Sequence, residues 1–252
     1  MNVNMDAGCL NCGYSVADNY CGNCGQKFST HRYSFKHFIE HDFIHGVWHV
    51  DKGVIFTLKE LLTNPGHSVR SFILGKRANF FNFVTLILLI LGLSSVITHY
   101  TSIKLLDLVP EANKKDLNVL QEFATNYPKI ILLITIPITS LSSFIWFRKA
   151  KFNYSEHLVL NSYKAAVDLL IALLFTIVTI FYTNKAGLSL LYFIGIQGMI
   201  LLYSIWMYCQ FFSKSGYSKF SLLFRSIMVP ITISLISVVL GIIFGIITQM
   251  QH

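Results

Sequence analysis

Four cysteines near the start of the chain have the spacing of a metal site. Cys9, Cys12, Cys21 and Cys24 form the pattern C-x2-C-x8-C-x2-C, and a glycine follows each pair. Four thiolates favour a tetrahedral soft ion, most often zinc, and glycine lets the backbone turn so that amides point at sulfur. The sequence therefore predicts a structural Zn²⁺ site in a small ribbon over residues 1–30. Such a site is closed by its four protein ligands and does not catalyse.

Three other interpretations of these cysteines stay open. Iron is chemically possible, since four thiolates do not exclude it. Disulfides would require an oxidising compartment, which the topology argued below does not provide. A redox-active dithiol is disfavoured because two cysteine pairs occur together.

Four histidines form a second cluster of ligand-type residues. His37, His41, His45 and His49 recur every four residues, which places neighbours near one another on a helix. This spacing would allow a second metal or pH-sensing site. We prefer a simpler interpretation, a histidine-rich face of an interfacial helix, because Gly46 interrupts the pattern.

A third polar group lies beside a long apolar run, in the stretch "NYSEHLVLNSYKAAVDLL". Glu156 and His157 precede the run, while Lys164 and Asp168 are four residues apart and can pair on one helix face. Ionisable residues at membrane depth are candidate functional sites. We favour structural pairing, with a substrate, lipid or proton site as the alternative. Neighbours expected to join an interhelical polar network are Asn161, Tyr163 and Gln197.

The elements that must position these residues are apolar helices. Of 252 residues, 54% are hydrophobic and only 13% are charged, whereas a soluble domain carries about 25% charged residues. Apolar segments near the ~20 residues that a bilayer-spanning helix needs lie at 80–98, 129–147, 164–182, 188–211 and 226–248. We expect a mainly α protein, an integral membrane helical bundle of about five spans with a small N-terminal zinc ribbon.

The chain divides by composition into three parts. Residues 1–30 form the predicted ribbon, 31–78 cytoplasmic or interfacial amphipathic helices, and 79–252 the transmembrane bundle. A short helix is expected at about 51–63, ended by "TNPG" because proline and glycine break helices. The segment "SVRSFILGKR" is then expected to lie at the membrane interface and lead into the first span.

Charge predicts the orientation of the spans. The net charge is +8, and basic residues precede the first span, follow the second and separate the fourth from the fifth. Because lysine and arginine gather in cytoplasmic loops, we expect the N-terminus in the cytoplasm and the C-terminus on the opposite, periplasmic side. The first 30 residues lack the apolar core of a signal peptide. The cysteine cluster would then lie where thiols stay reduced.

Several ordered motifs resemble a known family. These are the cysteine pattern, "VDKGVIFTLKELLTNPG", "SFILGKR" and "FNYSEHLVLNSY". Together they are similar to an uncharacterised bacterial family of zinc-ribbon, multi-pass membrane proteins, domain of unknown function 3667. The resemblance covers Cys9 to about Tyr163. It implies a cytoplasmic ribbon and several spans, and it implies no known activity.

No familiar catalytic signature occurs: the chain has no Walker-type loop, no G-x-S-x-G and no H-E-x-x-H. We therefore expect a non-enzymatic protein of a bacterial inner membrane, a scaffold or regulator that docks a protein partner through its ribbon. The alternative is a lipid or small-solute transporter, or a lipid-acting membrane enzyme, using the polar group around Asp168. A further alternative is ribosome or RNA docking, which the few basic residues flanking the ribbon, Lys27 and Arg32, argue against. The oligomeric state is left open.

Overall fold

The computed structural model describes residues 8–15, 18–33, 53–101, 103, 105–108 and 128–250, and its regular structure is helical. His37, His41, His45 and His49 lie outside the described residues, so a second metal or pH-sensing site stays a prediction. The main helices are α1 (Gly53–Thr63), α2 (Pro65–Ile73), α3 (Phe83–Thr98), α4 (Pro128–Trp146), α5 (Tyr154–Phe181), α6 (Lys185–Phe212) and α7 (Lys219–Met250).

A helix occupies each of the five places where the sequence predicts a span. Three are long and apolar enough to cross a membrane: α5, α6 and the first 22 residues of α7. Two shorter apolar helices, Phe83–Thr98 and Ile134–Trp146, occupy the first two places. The membrane character of the chain is thus supported, while the number of spans stays a prediction.

Helix α5 begins ten residues before the predicted start of its span, at Tyr154 instead of 164. Asn153 caps it: its side chain accepts from the amide of Glu156, whose side chain accepts in return from the amide of Asn153. This reciprocal pair is a capping box, which satisfies two amides that otherwise lack partners at a helix start. Lys164 and Asp168 lie within this continuous helix and pair with each other one turn apart.

Helix α5 lies at the centre of the bundle, between α3 and α4, and α7 closes the bundle between α4 and α6. Helices α5 and α6 meet at the end away from the ribbon, where the rings of Phe175 and Tyr192 are 5.1 Å apart. At the other end, which we call the ribbon end, α2 packs against both of them. There the ring of Phe72 on α2 contacts Tyr163 on α5 at 5.4 Å.

Contact between α2 and α6 is as close as two backbones allow. A Cβ atom at Gly66 would lie 2.3 Å from the carbonyl oxygen of Met207 and from the amide nitrogen of Phe211. The Gly66 amide donates to the side chain of Gln210 at 3.1 Å, and Arg70 donates to the Phe211 carbonyl at 2.8 Å. The segment expected at the membrane interface is therefore buried between two helices along much of its length.

Helices α5 and α6 are longer than a bilayer-spanning helix needs to be. Helices α5 and α6 have 28 residues each, whereas the ~30 Å hydrocarbon core needs only about 20. Toward the ribbon end, both helices pack against the segment that precedes α3: the Tyr203 hydroxyl donates to the Leu61 carbonyl at 3.0 Å, and the Tyr163 hydroxyl to the Phe81 carbonyl at 2.8 Å. The ribbon contacts the same segment at Gly75 and Arg77.

Candidate metal centre and polar sites of the bundle

The ribbon consists of two knuckles with the same backbone structure. We define the first knuckle as residues 8–15 and the second as 20–27; the second repeats the first at an offset of 12 residues, Cys21 against Cys9. In each, the amide of the first cysteine donates to the carbonyl five residues later, and the following glycine amide donates back, all at 2.8 Å. Gly13 and Gly25 adopt φ of 75° and 72°, a conformation that favours glycine.

The four sulfur atoms have the separation that a metal ion requires. Cys9 and Cys24 sulfurs are 3.6 Å apart, as are those of Cys12 and Cys21, and all four lie within 4.8 Å of one another. Four sulfurs about 2.3 Å from a central ion would lie roughly 3.8 Å apart. All four thiols are free. The predicted ligands thus come together. Each of the two close sulfur pairs joins a cysteine of the first knuckle to a cysteine of the second.

Backbone hydrogen bonding favours the thiolate form of one of these cysteines, which is the form that binds a cation. A hydrogen bond with the backbone of Gln26 lowers the pKa of Cys24 to about 6. A backbone hydrogen bond at Cys24 also lowers the pKa of Cys21, but burial and the thiols of Cys12 and Cys24 raise it to a net value of about 11. Four neighbouring anions repel each other, so complete ionisation requires a metal ion between them.

Gln26 joins the second knuckle to the membrane bundle. Its buried side-chain amide donates to the carbonyl of Gly75 at 2.8 Å and accepts from the amide of Arg77 at 3.0 Å. Gly75 has φ of 110°, and a Cβ there would approach Leu10 of the first knuckle to 2.9 Å. The Arg77 guanidinium stacks over the ring of Tyr33 at 4.8 Å. The "GKR" segment therefore forms the surface on which the ribbon is docked.

A second contact joins the end of the ribbon to α5. The Arg32 guanidinium donates to both carboxylate oxygens of Glu156, at 2.5 and 2.9 Å, and to the Lys151 carbonyl at 3.0 Å. The Asn153 amide donates to the same carboxylate at 2.8 Å. Glu156 is fully buried, whereas the Arg32 side chain is 52% exposed. Hydrogen bonding to Glu156 raises the pKa of Arg32, so the guanidinium stays charged.

His157, adjacent to Glu156, belongs to a separate buried network. Its Nδ1 lies 2.9 Å from the Ser143 hydroxyl, which also accepts from Asn161 at 3.0 Å. Tyr208 donates to the Asn161 side chain at 2.6 Å. The Nε2 atom of His157 is buried and has no hydrogen-bond partner within the described part of the chain. The network links α4, α5 and α6, as predicted for Asn161, whereas Gln197 is exposed.

Lys164 and Asp168 pair as predicted, one turn apart on α5, at 2.5 Å. They line a cavity of about 310 Å³ between α4, α5 and α7, together with Asn161 and Thr139. The second carboxylate oxygen of Asp168 is buried and lacks a hydrogen-bond partner among the described residues. The four residues expected to form one polar site therefore separate into an ion pair with the ribbon, a buried network and a lined cavity.

Sequence reasoning missed the residues that dock the ribbon. Gln26 lies beside the cysteines but has no motif of its own, and its partners are about 50 residues away in sequence. The sequence around Arg32 indicates only a basic residue flanking the ribbon. One signal was available: Asn153 and Glu156 have the N-x-x-E spacing of a capping box. It indicates a helix start and assigns Glu156 a structural role.

Comparison with known families gives one match. Residues 51–94 match the family described as "Protein of unknown function (DUF3667)". The match spans α1, α2 and most of α3, and it includes the docking residues Gly75 and Arg77. No curated protein and no solved structure matches the chain. The resemblance inferred from the motifs is thus supported over this stretch, and it assigns no activity.

Proposed function

We propose that this chain is a non-enzymatic protein of a bacterial inner membrane that holds a zinc ribbon rigidly at the cytoplasmic surface and docks a protein partner there. The observation that carries the proposal is the attachment of the ribbon. Gln26 and Arg32 fix one side of it to the chain's own bundle. A head held in this way loses little further freedom on binding, which favours affinity.

The ribbon also presents two exposed aromatic side chains. Tyr14 and Tyr20 are 57% and 60% exposed. Tyr14 occupies the position in the first knuckle that Gln26 occupies in the second, 12 residues later. One knuckle therefore uses this position to bind the bundle, and the other turns a tyrosine outward. Tyrosine is enriched at protein interfaces, where it supplies large, rigid contact area.

Purification from native membranes tests the docking proposal. A photo-crosslinking amino acid at Tyr14 should capture one defined protein, whereas the same probe at Tyr182, exposed at the other end of the bundle, should not. Replacing Tyr14 and Tyr20 with serine should abolish the complex while metal content stays unchanged. A protein that remains alone under gentle extraction, with no product at Tyr14 above that at Tyr182, would refute docking.

Separate experiments test the identity of the metal and the side of the membrane on which each end of the chain lies. Four thiolates at this separation suit Zn²⁺, and elemental analysis should find about one zinc per chain.

Green fluorescent protein fused before Met1 should fluoresce, and alkaline phosphatase fused after His252 should be active, since five spans place the ends on opposite sides. Fluorescent fusions at both ends would instead require an even number of spans.

A second candidate function is favoured by the cavity at Lys164 and Asp168. Its polar lining and the unpartnered Asp168 oxygen suit a lipid or small solute entering between α4 and α7. Replacing Asp168 with asparagine should then abolish that activity without unfolding the protein. RNA docking has weaker support, because Arg32 is engaged by Glu156.

A further inference from the structure

A second cavity lies between the ribbon and the α1–α2 hairpin. Its volume is about 350 Å³. Asn11 of the first knuckle forms one wall, and all other lining residues lie between Phe56 and Phe80. The stretch 51–94, which matches the family model, therefore supplies nearly the whole cavity. The cavity lies outside the metal centre, and it shares no residue with the cavity at Lys164 and Asp168.

The cavity carries two opposite charges that do not neutralise each other. Glu60 lines it from α1 and accepts a short hydrogen bond from the buried hydroxyl of Ser68. Lys76 also lines it, and its ammonium has no carboxylate partner within the part of the chain that the structure describes. Asn79 adds a neutral amide. A ligand that carries both an ammonium and an anionic oxygen group would complement this lining.

The position of the cavity indicates where such a ligand comes from. Its lining ends at Phe80, just before the apolar helix α3 begins at Phe83; in the membrane placement proposed above, this is the interfacial layer. Beside it, Ile55 and Leu62 on α1 are 79% and 54% exposed, and Leu74 is also exposed. Apolar side chains exposed on a helix at this level insert into the acyl boundary of a bilayer. Phe56 and Phe80 line the cavity itself.

We propose that this cavity binds the headgroup of a zwitterionic phospholipid that has a primary ammonium, such as phosphatidylethanolamine. The ammonium would donate to Glu60, and the phosphate would accept from Lys76 and Asn79. The glycerol would face the apolar side chains of α1. The inference rests on the membrane placement proposed above, and it does not require a docked protein partner.

Lipid titration of the full-length protein in detergent, followed by native mass spectrometry, tests the site. The probes are short-chain phosphatidylethanolamine, phosphatidylglycerol and phosphatidylcholine. Phosphatidylethanolamine should bind about tenfold more tightly than the other two, because only its headgroup donates charge-assisted N–H bonds to a carboxylate. Equal affinity for all three lipids would overturn the proposal.

Variants and a soluble probe identify the residues and the source of the ligand. Glu60→Gln should remove the preference for ethanolamine, since its amide oxygen still accepts from Ser68 but carries no charge. Lys76→Gln should weaken all three phospholipids. Lys59→Gln, which removes a neighbouring exposed charge outside the cavity, should change nothing. Unchanged lipid preference in both cavity variants refutes the site.

The soluble probe is glycerophosphoethanolamine, which has the same headgroup without acyl chains. The lipid proposal predicts that it binds far more weakly than the phospholipid. Equal affinity would show that the site takes a soluble zwitterion, which contradicts the lipid assignment. Failure to find a docked protein would leave these affinities unaffected, so the two proposals fail separately.

Discussion

The guanidinium of Arg32 and the buried carboxylate of Glu156 form a bidentate ion pair between residues 124 positions apart in the chain. Arg32 directly follows the ribbon, and Glu156 lies in the first turn of the central helix α5. The pair connects the candidate metal centre to the bundle by an interaction that has both charge and fixed geometry.

Replacing Arg32 with alanine should lower the thermal unfolding temperature of the purified protein. The change leaves the Glu156 carboxylate buried with only the Asn153 amide as partner, which costs about 2–3 kcal/mol for a pair whose cation is half exposed. Arg32→Lys should recover part of the loss, since an ammonium cannot form the two parallel bonds. Arg148→Ala, which removes an exposed arginine at the same end, should have little effect. Equal stability of the Arg32 and Arg148 variants would contradict a structural ion pair.

Removing the metal should release the ribbon from the bundle. The Gln26 side chain is positioned by the second knuckle, whose fold depends on its two cysteines. Hydrogen exchange at the Arg77 amide, which donates to Gln26, should therefore accelerate on chelation or in the Cys21→Ser, Cys24→Ser double variant. Central α5 should keep its protection. Metal loss without faster exchange at Arg77 would show that the dock forms independently.

Gly66→Ala should disrupt the contact between α2 and α6. The new methyl group would meet the backbone of Met207 and Phe211 at 2.3 Å, and backbone atoms cannot move away at low cost. We expect a loss of about 3 kcal/mol, measured as reduced thermal stability in detergent.

Gly92→Ala provides the matched control for Gly66. It is also a helical glycine, but a Cβ there meets nothing within 4 Å. This substitution should be neutral or stabilise the helix by up to ~1 kcal/mol. A Gly66 variant as stable as the Gly92 variant would disprove the close helix contact.

Tyr208→Phe should destabilise the bundle through its polar network. The change removes the hydroxyl that donates to Asn161 at 2.6 Å and leaves a buried acceptor without that bond. The expected loss is about 1–3 kcal/mol. Tyr100→Phe removes a hydroxyl at an exposed site and should change stability by less than about 0.5 kcal/mol. Thermal unfolding of the two variants side by side would detect the difference, and identical midpoints would contradict the network.

Features encoded by neighbouring residues could be predicted from the sequence. The cysteine spacing predicts the cluster because each knuckle closes within six residues, from Cys9 to Tyr14 and from Cys21 to Gln26. The apolar runs predict the positions of the helices because burial in a bilayer depends on continuous composition. The Lys164–Asp168 pair follows from helical spacing.

Features that depend on distant residues could not be predicted in this way. Nothing in the local pattern of Arg32 indicates a carboxylate on α5, and Gln26 resembles any polar residue after a cysteine pair. The packing of α2 against α6 depends on Gly66 meeting the backbone of Met207 and Phe211, more than 140 residues away in the chain. The same amphipathic pattern is equally consistent with a segment that lies on a membrane surface.

The separation between the ribbon and its partners also sets an order of events during synthesis. The ribbon emerges from the ribosome first, and the Gly75 carbonyl that receives Gln26 is made 49 residues later. Glu156 follows Arg32 by 124 residues, which corresponds to roughly 6–25 s at ordinary translation rates of about 5–20 residues per second. The ribbon is therefore synthesised before the surface on which it docks. Arg32 can pair with the Glu156 carboxylate only when α5 has been translated.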